Sequence, residues 1–69
     1  VELLDNVEFE DELYDEIIEF VKQRDEISIS MIQRQYRIGF NRSARIIERL
    51  ELDGLIAPAQ GSKPRKVLG

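Results

Sequence analysis

The sequence has 69 residues, a formal net charge of −4, and neither cysteine nor histidine. A chain of this length can bury one small core, so any function has to lie on its surface. Without cysteine or histidine, thiol nucleophiles, disulfides, imidazole bases and the usual zinc and copper ligands are excluded. The 42% hydrophobic and 35% charged residues are typical of a soluble folded domain. There is no signal-peptide pattern, and no apolar run approaches the roughly 18 residues of a membrane span, so we expect a cytoplasmic domain.

Charge is divided unevenly along the chain. Residues 1–19 hold nine acids and no base, whereas residues 20–69 hold all ten lysines and arginines and five acids. This asymmetry predicts a basic binding surface next to an acidic tail or linker. An ordinary solvated acidic helix with scattered bases would give the same counts, so the interpretation depends on where the bases lie.

The acidic first ten residues show little periodicity, so residues 1–10 are interpreted as a linker or tail and residues 11–69 as the domain. Val1 in place of methionine suggests a domain taken from a longer protein. An amphipathic helix is predicted from about Asp11 to Arg24, with Asp11 as its N-cap. The apolar face of this helix collects six residues within an arc of about 160°, namely Leu13, Tyr14, Ile17, Ile18, Phe20 and Val21.

Two short elements are predicted next. The segment "EISIS", residues 26–30, alternates isoleucine and serine, which favours a short edge strand or an extended lead-in. Ser30 and Gln33 match a capping box, so a second helix is predicted from about Met31 to Arg37. Gly39 is then expected to adopt the left-handed conformation in a tight turn between two helices.

A third helix is predicted from near Asn41 to a stop at Gly54. The segments "LIAP" and "RKVL" are candidate strands that a hairpin would join. Two helices joined by a glycine-containing turn and followed by a hairpin are typical of a winged helix-turn-helix. The predicted class is α+β, mainly α, with three helices and a small three-stranded antiparallel sheet.

The third helix has two different faces. One face packs, with Ala44, Ile46, Ile47 and Leu50. The other face is mostly polar and carries Asn41, Arg42, Arg45, Glu48, Arg49 and Leu52. Arginine and asparagine match the major-groove edges of guanine and adenine, and a carboxylate can accept from cytosine. We therefore predict DNA-base contacts from four residues of this face, Asn41, Arg42, Arg45 and Glu48.

Ordinary surface chemistry offers an alternative for the same residues. Exposed helix faces are usually charged, and Arg45 with Glu48, or Arg49 with Asp53, could form intrahelical ion pairs. Asn41 could cap the helix instead of facing a base, unless the helix starts one residue earlier.

Six further cations are predicted to contact the DNA backbone: Arg34, Arg37, Arg49, Lys63, Arg65 and Lys66. The last three belong to "GSKPRK" near the expected hairpin tip, and phosphate contacts of this kind position a protein without specifying sequence. For Arg34 and Arg37 the alternative is plain solvated surface. Catalysis is not expected. Carboxylates are abundant, but the sequence has no histidine, no glycine-rich phosphate loop and no sign of an enclosing pocket to go with them. No metal, cofactor or small-molecule ligand is predicted.

Three blocks of the sequence, "DELYDEIIEFV", "SISMIQRQYRIGFNRSARIIERLELDGLI" and "GSKPRKVL", closely resemble the gamma domain at the C-terminus of FtsK/SpoIIIE-type DNA translocases. The resemblance implies a winged helix that binds short, G-rich, strand-asymmetric duplex DNA and orients a hexameric ATP-driven motor on the chromosome. It also implies possible contact with a tyrosine recombinase. Motor, nucleotide site and membrane anchor would lie in other parts of the polypeptide, so the domain itself would hydrolyse nothing.

The resemblance also implies roles for individual residues. Asn41 and Arg42 stand at the family's base-reading pair, and Arg45 and Glu48 match the next positions on the same face. Arg34 matches an arginine of the preceding helix that contacts DNA, and residues 63–66 match the wing. The sequence departs from the family at two positions, with Phe40 where tyrosine is common and Ser43 where alanine is common. Phe40 has no hydroxyl for a polar contact, and Ser43 is expected to be harmless.

Three other functions fit parts of the pattern. A winged helix used only for protein contacts would bind through the exposed Leu52 and the wing, and would not respond to duplex DNA. A transcription regulator would need a further helix for dimerisation. An RNA-binding domain would need exposed aromatic side chains for stacking.

Overall fold

The structure is a computed structural model that describes residues 11–61 and 63–68. Within these residues the chain forms three helices and a two-stranded antiparallel sheet. In chain order they are α1 (Tyr14–Lys22), β1 (Glu26–Ile27), α2 (Ile29–Tyr36), α3 (Phe40–Leu52) and β2 (Arg65–Lys66). The predicted linker, residues 1–10, lies outside the described residues.

The first helix begins later than its sequence predicts. Its N-cap is Leu13, and the helix ends at Lys22 rather than Arg24, so the assignment of Asp11 as N-cap was wrong. The Asp11 carboxylate instead accepts the backbone N–H of Leu13 at 2.9 Å, and its carbonyl accepts that of Tyr14 at 2.9 Å. Asp11 therefore closes a turn that precedes the helix.

The second helix begins earlier than predicted. Ser28 is its N-cap, and the Ser28 hydroxyl accepts the N–H of Met31 at 3.2 Å, so the capping box at Ser30 was wrong. The predicted strand shrinks to Glu26–Ile27 because Ile29 already belongs to the helix. A helix that starts there places Ile29 and Ile32 one turn apart on the face that meets the core.

The turn between α2 and α3 uses a different residue from the one predicted. Gly39 is extended, with φ −73° and ψ 171°, and serves as the N-cap of α3, whereas Arg37 holds the left-handed conformation with φ 56°. The prediction for Gly39 was wrong because the reversal occurs at the end of α2, two residues earlier.

The end of α3 agrees with the prediction. Gly54 has φ +79° and donates its N–H to the Glu51 carbonyl at 3.0 Å, and Leu55 donates to the Leu50 carbonyl at 2.9 Å. This pair of bonds is the Schellman motif, which stops a helix and satisfies its last carbonyls.

The sheet has two strands rather than the predicted three. Residues Glu26 and Ile27 of β1 pair with Lys66 and Arg65 of β2. The "LIAP" segment contributes one antiparallel bridge, from Ile56 to Val67, and forms no strand in the described part of the chain. Every helix, the strand β1 and the bridge residue Ile56 contribute to one core of eight buried side chains: Ile17, Val21, Ile27, Ile32, Ile46, Ile47, Leu50 and Ile56.

Two details of the core bear on α3. Ser43 is completely buried, and its hydroxyl donates to the Gly39 carbonyl at 2.9 Å, whereas Ala44 on the predicted packing face is only partly buried. At the other end of the helix, the Tyr14 hydroxyl donates to the Asp53 carboxylate at 2.6 Å. Burial and this hydrogen bond raise the pKa of Tyr14 well above its usual range. The helix is thus held at both ends.

No helix in the described ranges has the length and apolar character needed to cross a membrane.

Candidate nucleic-acid interface

Asn41 is the second residue of α3, because the helix begins at Phe40 and Gly39 is the N-cap. No side chain caps this helix, so the alternative role of Asn41 as a cap is excluded. Its exposed side chain lies in the first turn of α3, where the free backbone N–H groups of a helix favour anions.

Arg42 is the next residue, and it is held by the carboxylate of Asp11, which lies 31 residues earlier in the chain. Its Nε donates to Asp11 Oδ2 at 2.9 Å and its Nη2 donates to Asp11 Oδ1 at 2.8 Å. The Arg42 side chain remains 42% exposed, whereas that of Asp11 is 10% exposed. The hydrogen bonds from Arg42 lower the pKa of Asp11, and the bonds to Asp11 raise the pKa of Arg42. Both groups are therefore charged at neutral pH.

Arg45 and Glu48 complete the predicted base-reading group. Both side chains are exposed, and neither makes an ion pair or side-chain hydrogen bond with any residue in 11–61 or 63–68. The alternative intrahelical pair between them is therefore not formed. One surface depression is lined by Asp11, Glu12, Asn41, Arg42 and Arg45. The structure thus brings three of the four predicted base contacts to one depression, and Glu48 is not among its lining residues.

Arg49 has the alternative arrangement that its spacing suggests. Its Nε lies 3.4 Å from Asp53 Oδ1, four residues further along the helix. Because the other Asp53 oxygen accepts from Tyr14, Arg49 belongs to a cluster that joins α1 to the end of α3.

The two cations of α2 differ in backbone conformation. Arg34 lies in the last turn of the helix, and Arg37 is the left-handed C-cap residue. Both side chains are exposed and make no ion pair within the part of the chain that is described. Both are available for a phosphate.

The three cations of the last segment divide into two kinds. Lys63 and Lys66 are exposed. Arg65 is directed inward, with a 17% exposed side chain that donates to Glu51 Oε1 at 2.9 Å and to the Ala57 carbonyl at 3.0 Å. It joins β2 to α3 and to the segment after the Ile56 bridge. The structure places Arg65 in the framework and leaves the two lysines on the surface.

A shallow groove connects these elements. Its lining includes Ser28 and Ser30 at the start of α2, Gln33 further along that helix, Phe40 at the start of α3, and Lys63. Phe40 is 59% exposed there. The starts of both helices and one loop cation therefore share one side of the molecule.

Sequence reasoning missed Asp11 as part of this surface. Asp11 and Arg42 are 31 residues apart, so no helical or strand periodicity relates them. The aspartate was visible only as an acid before an apolar run, a pattern that indicates a cap.

Comparison with known protein families gives a match over most of the chain. The family model described as "Ftsk gamma domain" matches residues 8–69. The chain belongs to the FtsK gamma domain family. This confirms the resemblance seen in its sequence.

Among the relatives of this gamma domain are three proteins named as DNA translocases. It is 49% identical to DNA translocase FtsK of Bacillus cereus over 61 residues, which are 88% of this chain and 8% of the relative. It is 49% identical to DNA translocase SpoIIIE of Bacillus subtilis, again over 88% of this chain and 8% of the relative. It is 52% identical to DNA translocase SftA of Bacillus subtilis over 86% of this chain and 6% of the relative. The gamma domain thus spans less than a tenth of the length of these relatives.

Proposed function

We propose that this gamma domain binds duplex DNA in a sequence-specific manner, with α3 as the recognition helix. The observation that carries the proposal is the exposed group Asn41, Arg42, Arg45 and Glu48 within the first nine residues of α3. These side chains have the donors and acceptors that distinguish bases in the major groove. Supporting phosphate contacts come from four exposed cations on neighbouring elements: Arg34, Arg37, Lys63 and Lys66.

The fold that suits this function is a winged helix-turn-helix. The order helix, strand, helix, helix and returning strand supports it, as does the short turn between α2 and α3. In this arrangement α2 lies across the DNA backbone, α3 enters the major groove, and the segment around Lys63 acts as the wing.

The bound sequence is a short, G-rich, strand-asymmetric motif, and its recognition loads and orients a translocase motor for chromosome segregation at division. The names of the relatives support this role, because each is a DNA translocase far longer than this chain. The hexameric motor, its nucleotide chemistry and a membrane anchor belong to the remainder of the polypeptide, and this domain is the cytoplasmic, non-catalytic reader.

Arg45 provides the sharpest test, since it is exposed and has no partner among the described side chains. Fluorescence anisotropy would compare a G-rich asymmetric duplex with its scrambled version at two salt concentrations. Arg45→Ala is expected to cost about 1–3 kcal/mol on the G-rich duplex and much less on the scramble. Lys22→Ala on α1 removes one exposed cation from another element and serves as the matched control. Equal losses of binding free energy on the two duplexes would show that Arg45 contacts only phosphates.

A second function is contact with a protein, and the tyrosine recombinase is the candidate partner. Leu52 is 79% exposed at the end of α3, and Leu68 is 59% exposed after β2. Large exposed apolar side chains are common at protein interfaces. Binding of the recombinase that is lost in Leu52→Ser, with DNA affinity unchanged, would support this function.

A further inference from the structure

The contact between Asp11 and Arg42 has a geometry that limits what the guanidinium can do. An arginine carries five N–H donors on a planar group, and they form two forks. The side fork uses Nε and the adjacent terminal nitrogen, whereas the end fork uses one N–H from each terminal nitrogen. Asp11 occupies the side fork, because its two oxygens accept from Nε and Nη2.

The end fork of Arg42 remains unoccupied by the described residues. No other hydrogen bond of Arg42 occurs among them, and 42% of its side chain is exposed in the depression that Asn41 and Arg45 also line. Two parallel N–H groups are the donors that match guanine O6 and N7. Arg42 can therefore bind the carboxylate and a guanine simultaneously, with different edges of the same group.

Asp11 is itself held in place, which makes it a firm support. Oδ1 accepts the backbone N–H of Leu13 at 2.9 Å as well as Nη2 of Arg42, and the Asp11 carbonyl accepts the N–H of Tyr14. Its side chain is only 10% exposed. A long arginine side chain loses rotamer freedom when it binds a base, and a fixed partner removes part of that loss before binding occurs.

We propose that Asp11 is a specificity-determining positioning residue, which holds Arg42 side-on so that the end fork of its guanidinium is presented to one guanine. The inference rests on the proposed function, since it requires α3 to face the major groove. Asp11 does not touch DNA in this arrangement and acts through Arg42.

Two other roles of the pair give different signatures. If Asp11 only fastens the first turn to α3, its loss lowers the amount of folded domain and weakens binding to every sequence alike. If Asp11 only repels phosphates, its loss strengthens binding to every sequence alike. A positioning role alters the preference at one base pair.

The experiment uses the full 69-residue chain and a pool of duplexes with a randomised centre, with bound molecules separated and sequenced. The proteins are wild type, Arg42→Ala, the isosteric Asp11→Asn, and Glu12→Gln as the matched loss of a neighbouring exposed acid. We expect Arg42→Ala to abolish guanine preference at one position. Asp11→Asn should reduce the preference at that same position about five-fold or more, and Glu12→Gln should retain it.

Several results would overturn the proposal. An Asp11→Asn profile identical to wild type, or a change spread evenly over all positions, would remove the positioning role while leaving the proposed function intact. Absence of any enriched sequence with the wild-type domain would overturn the proposed function, and the positioning role with it.

A measurement on the wild type requires no variant to fold. In an NMR spectrum of the domain bound to its enriched duplex, the Nε–H of Arg42 should stay protected from solvent exchange, as in the free domain. Release of this N–H to solvent on DNA binding would show that Arg42 leaves Asp11, which would overturn the proposal.

Discussion

Three arginines on one helix differ in what surrounds them, and these differences separate their roles. Arg42 is fixed by Asp11 through two hydrogen bonds, and Arg49 is paired with Asp53 at 3.4 Å. Arg45, between them, makes no ion pair within the described ranges. Arg42 is therefore a side chain held in place by a carboxylate, and Arg49 is part of the framework. Arg45 keeps its donors available for a partner.

The ionisation of Asp11 predicts a pH dependence of stability. Its pKa in the folded domain is lowered by the hydrogen bonds from Arg42, so its contribution to folding is present above the unfolded pKa. That contribution is lost as the pH falls through the lowered folded pKa. Thermal melts should show wild type more stable than Asp11→Asn at about pH 7, and the difference should shrink as the pH falls below about 4. A difference that persists in acid would show that the carboxylate charge is not its source.

The left-handed conformation of Arg37 leads us to expect that one substitution at this position raises the stability of the domain and weakens its DNA binding. A left-handed conformation costs about 1–2 kcal/mol for a residue with a Cβ, so Arg37→Gly should raise the free energy of unfolding by about 0.5–1 kcal/mol. The same change removes a predicted phosphate contact and should weaken DNA binding. Urea denaturation and anisotropy measure the two effects. Arg37→Ala is the control, because it loses the charge but keeps the strained backbone, so it should bind weakly without the gain in stability.

At the scale of the element, the two ends of α3 are built differently. Its N-terminus has Gly39 as an N-cap with ordinary extended angles and no side-chain cap. Its C-terminus has Gly54 in the left-handed conformation and a Schellman pair of hydrogen bonds. The predicted helix stop at Gly54 was therefore confirmed, whereas the predicted left-handed turn at Gly39 was wrong. Of these two glycines, only Gly54 has a positive φ.

Alanine substitutions at the two glycines test this difference. A Cβ at either position would meet no atom within 4 Å, so backbone conformation alone decides the effect. Gly54→Ala should lower the free energy of unfolding by about 1 kcal/mol, because φ is +79°. Gly39→Ala should change it by less than about 0.5 kcal/mol, because the weaker N-cap is offset by reduced entropy of the unfolded chain. Urea denaturation measures both variants, and equal losses of stability would show that the backbone conformation of Gly54 does not decide the effect.

At the scale of the whole molecule, contacts between distant segments hold the helices in position. Asp11 reaches the start of α3, Tyr14 reaches its end through Asp53, and Arg65 joins β2 to Glu51 on the same helix. The turn that precedes α1 and the strand β2 are therefore both hydrogen-bonded to side chains of α3. Its exposed face remains for a partner.

Arg65 and Lys63 form a matched pair for separating framework from interface. Arg65→Ala should lower the free energy of unfolding by about 1 kcal/mol, because it removes bonds to Glu51 and to the Ala57 carbonyl. Lys63→Ala should leave stability within about 0.5 kcal/mol and reduce the log–log salt slope of DNA binding by about one. Urea denaturation and a salt titration measure both variants. An unchanged slope for Lys63→Ala would remove that residue from the interface.

Local patterns in the sequence predicted what local forces control. The apolar periodicity placed Ile17 and Val21 of α1, and Ile46, Ile47 and Leu50 of α3, on buried faces, and each of them is buried. Boundaries were less accurate where neighbours have equal chemistry, since Ser28 and Ser30 could each cap α2. The hydroxyl of Ser28 does so because that choice brings Ile29 onto the core.

The sequence was sufficient for the three amphipathic helices, the glycine stop at Gly54 and membership of the gamma domain family, because these depend on residues within a few turns of one another or on matched blocks. The partners of the cations were decided by folding. Arg42 meets Asp11 across 31 residues, Arg65 turns inward to Glu51, and Arg37 rather than Gly39 takes the left-handed conformation. No short-range pattern encodes these outcomes, since each arises from where packing of the shared core leaves a charge or forces the chain to turn.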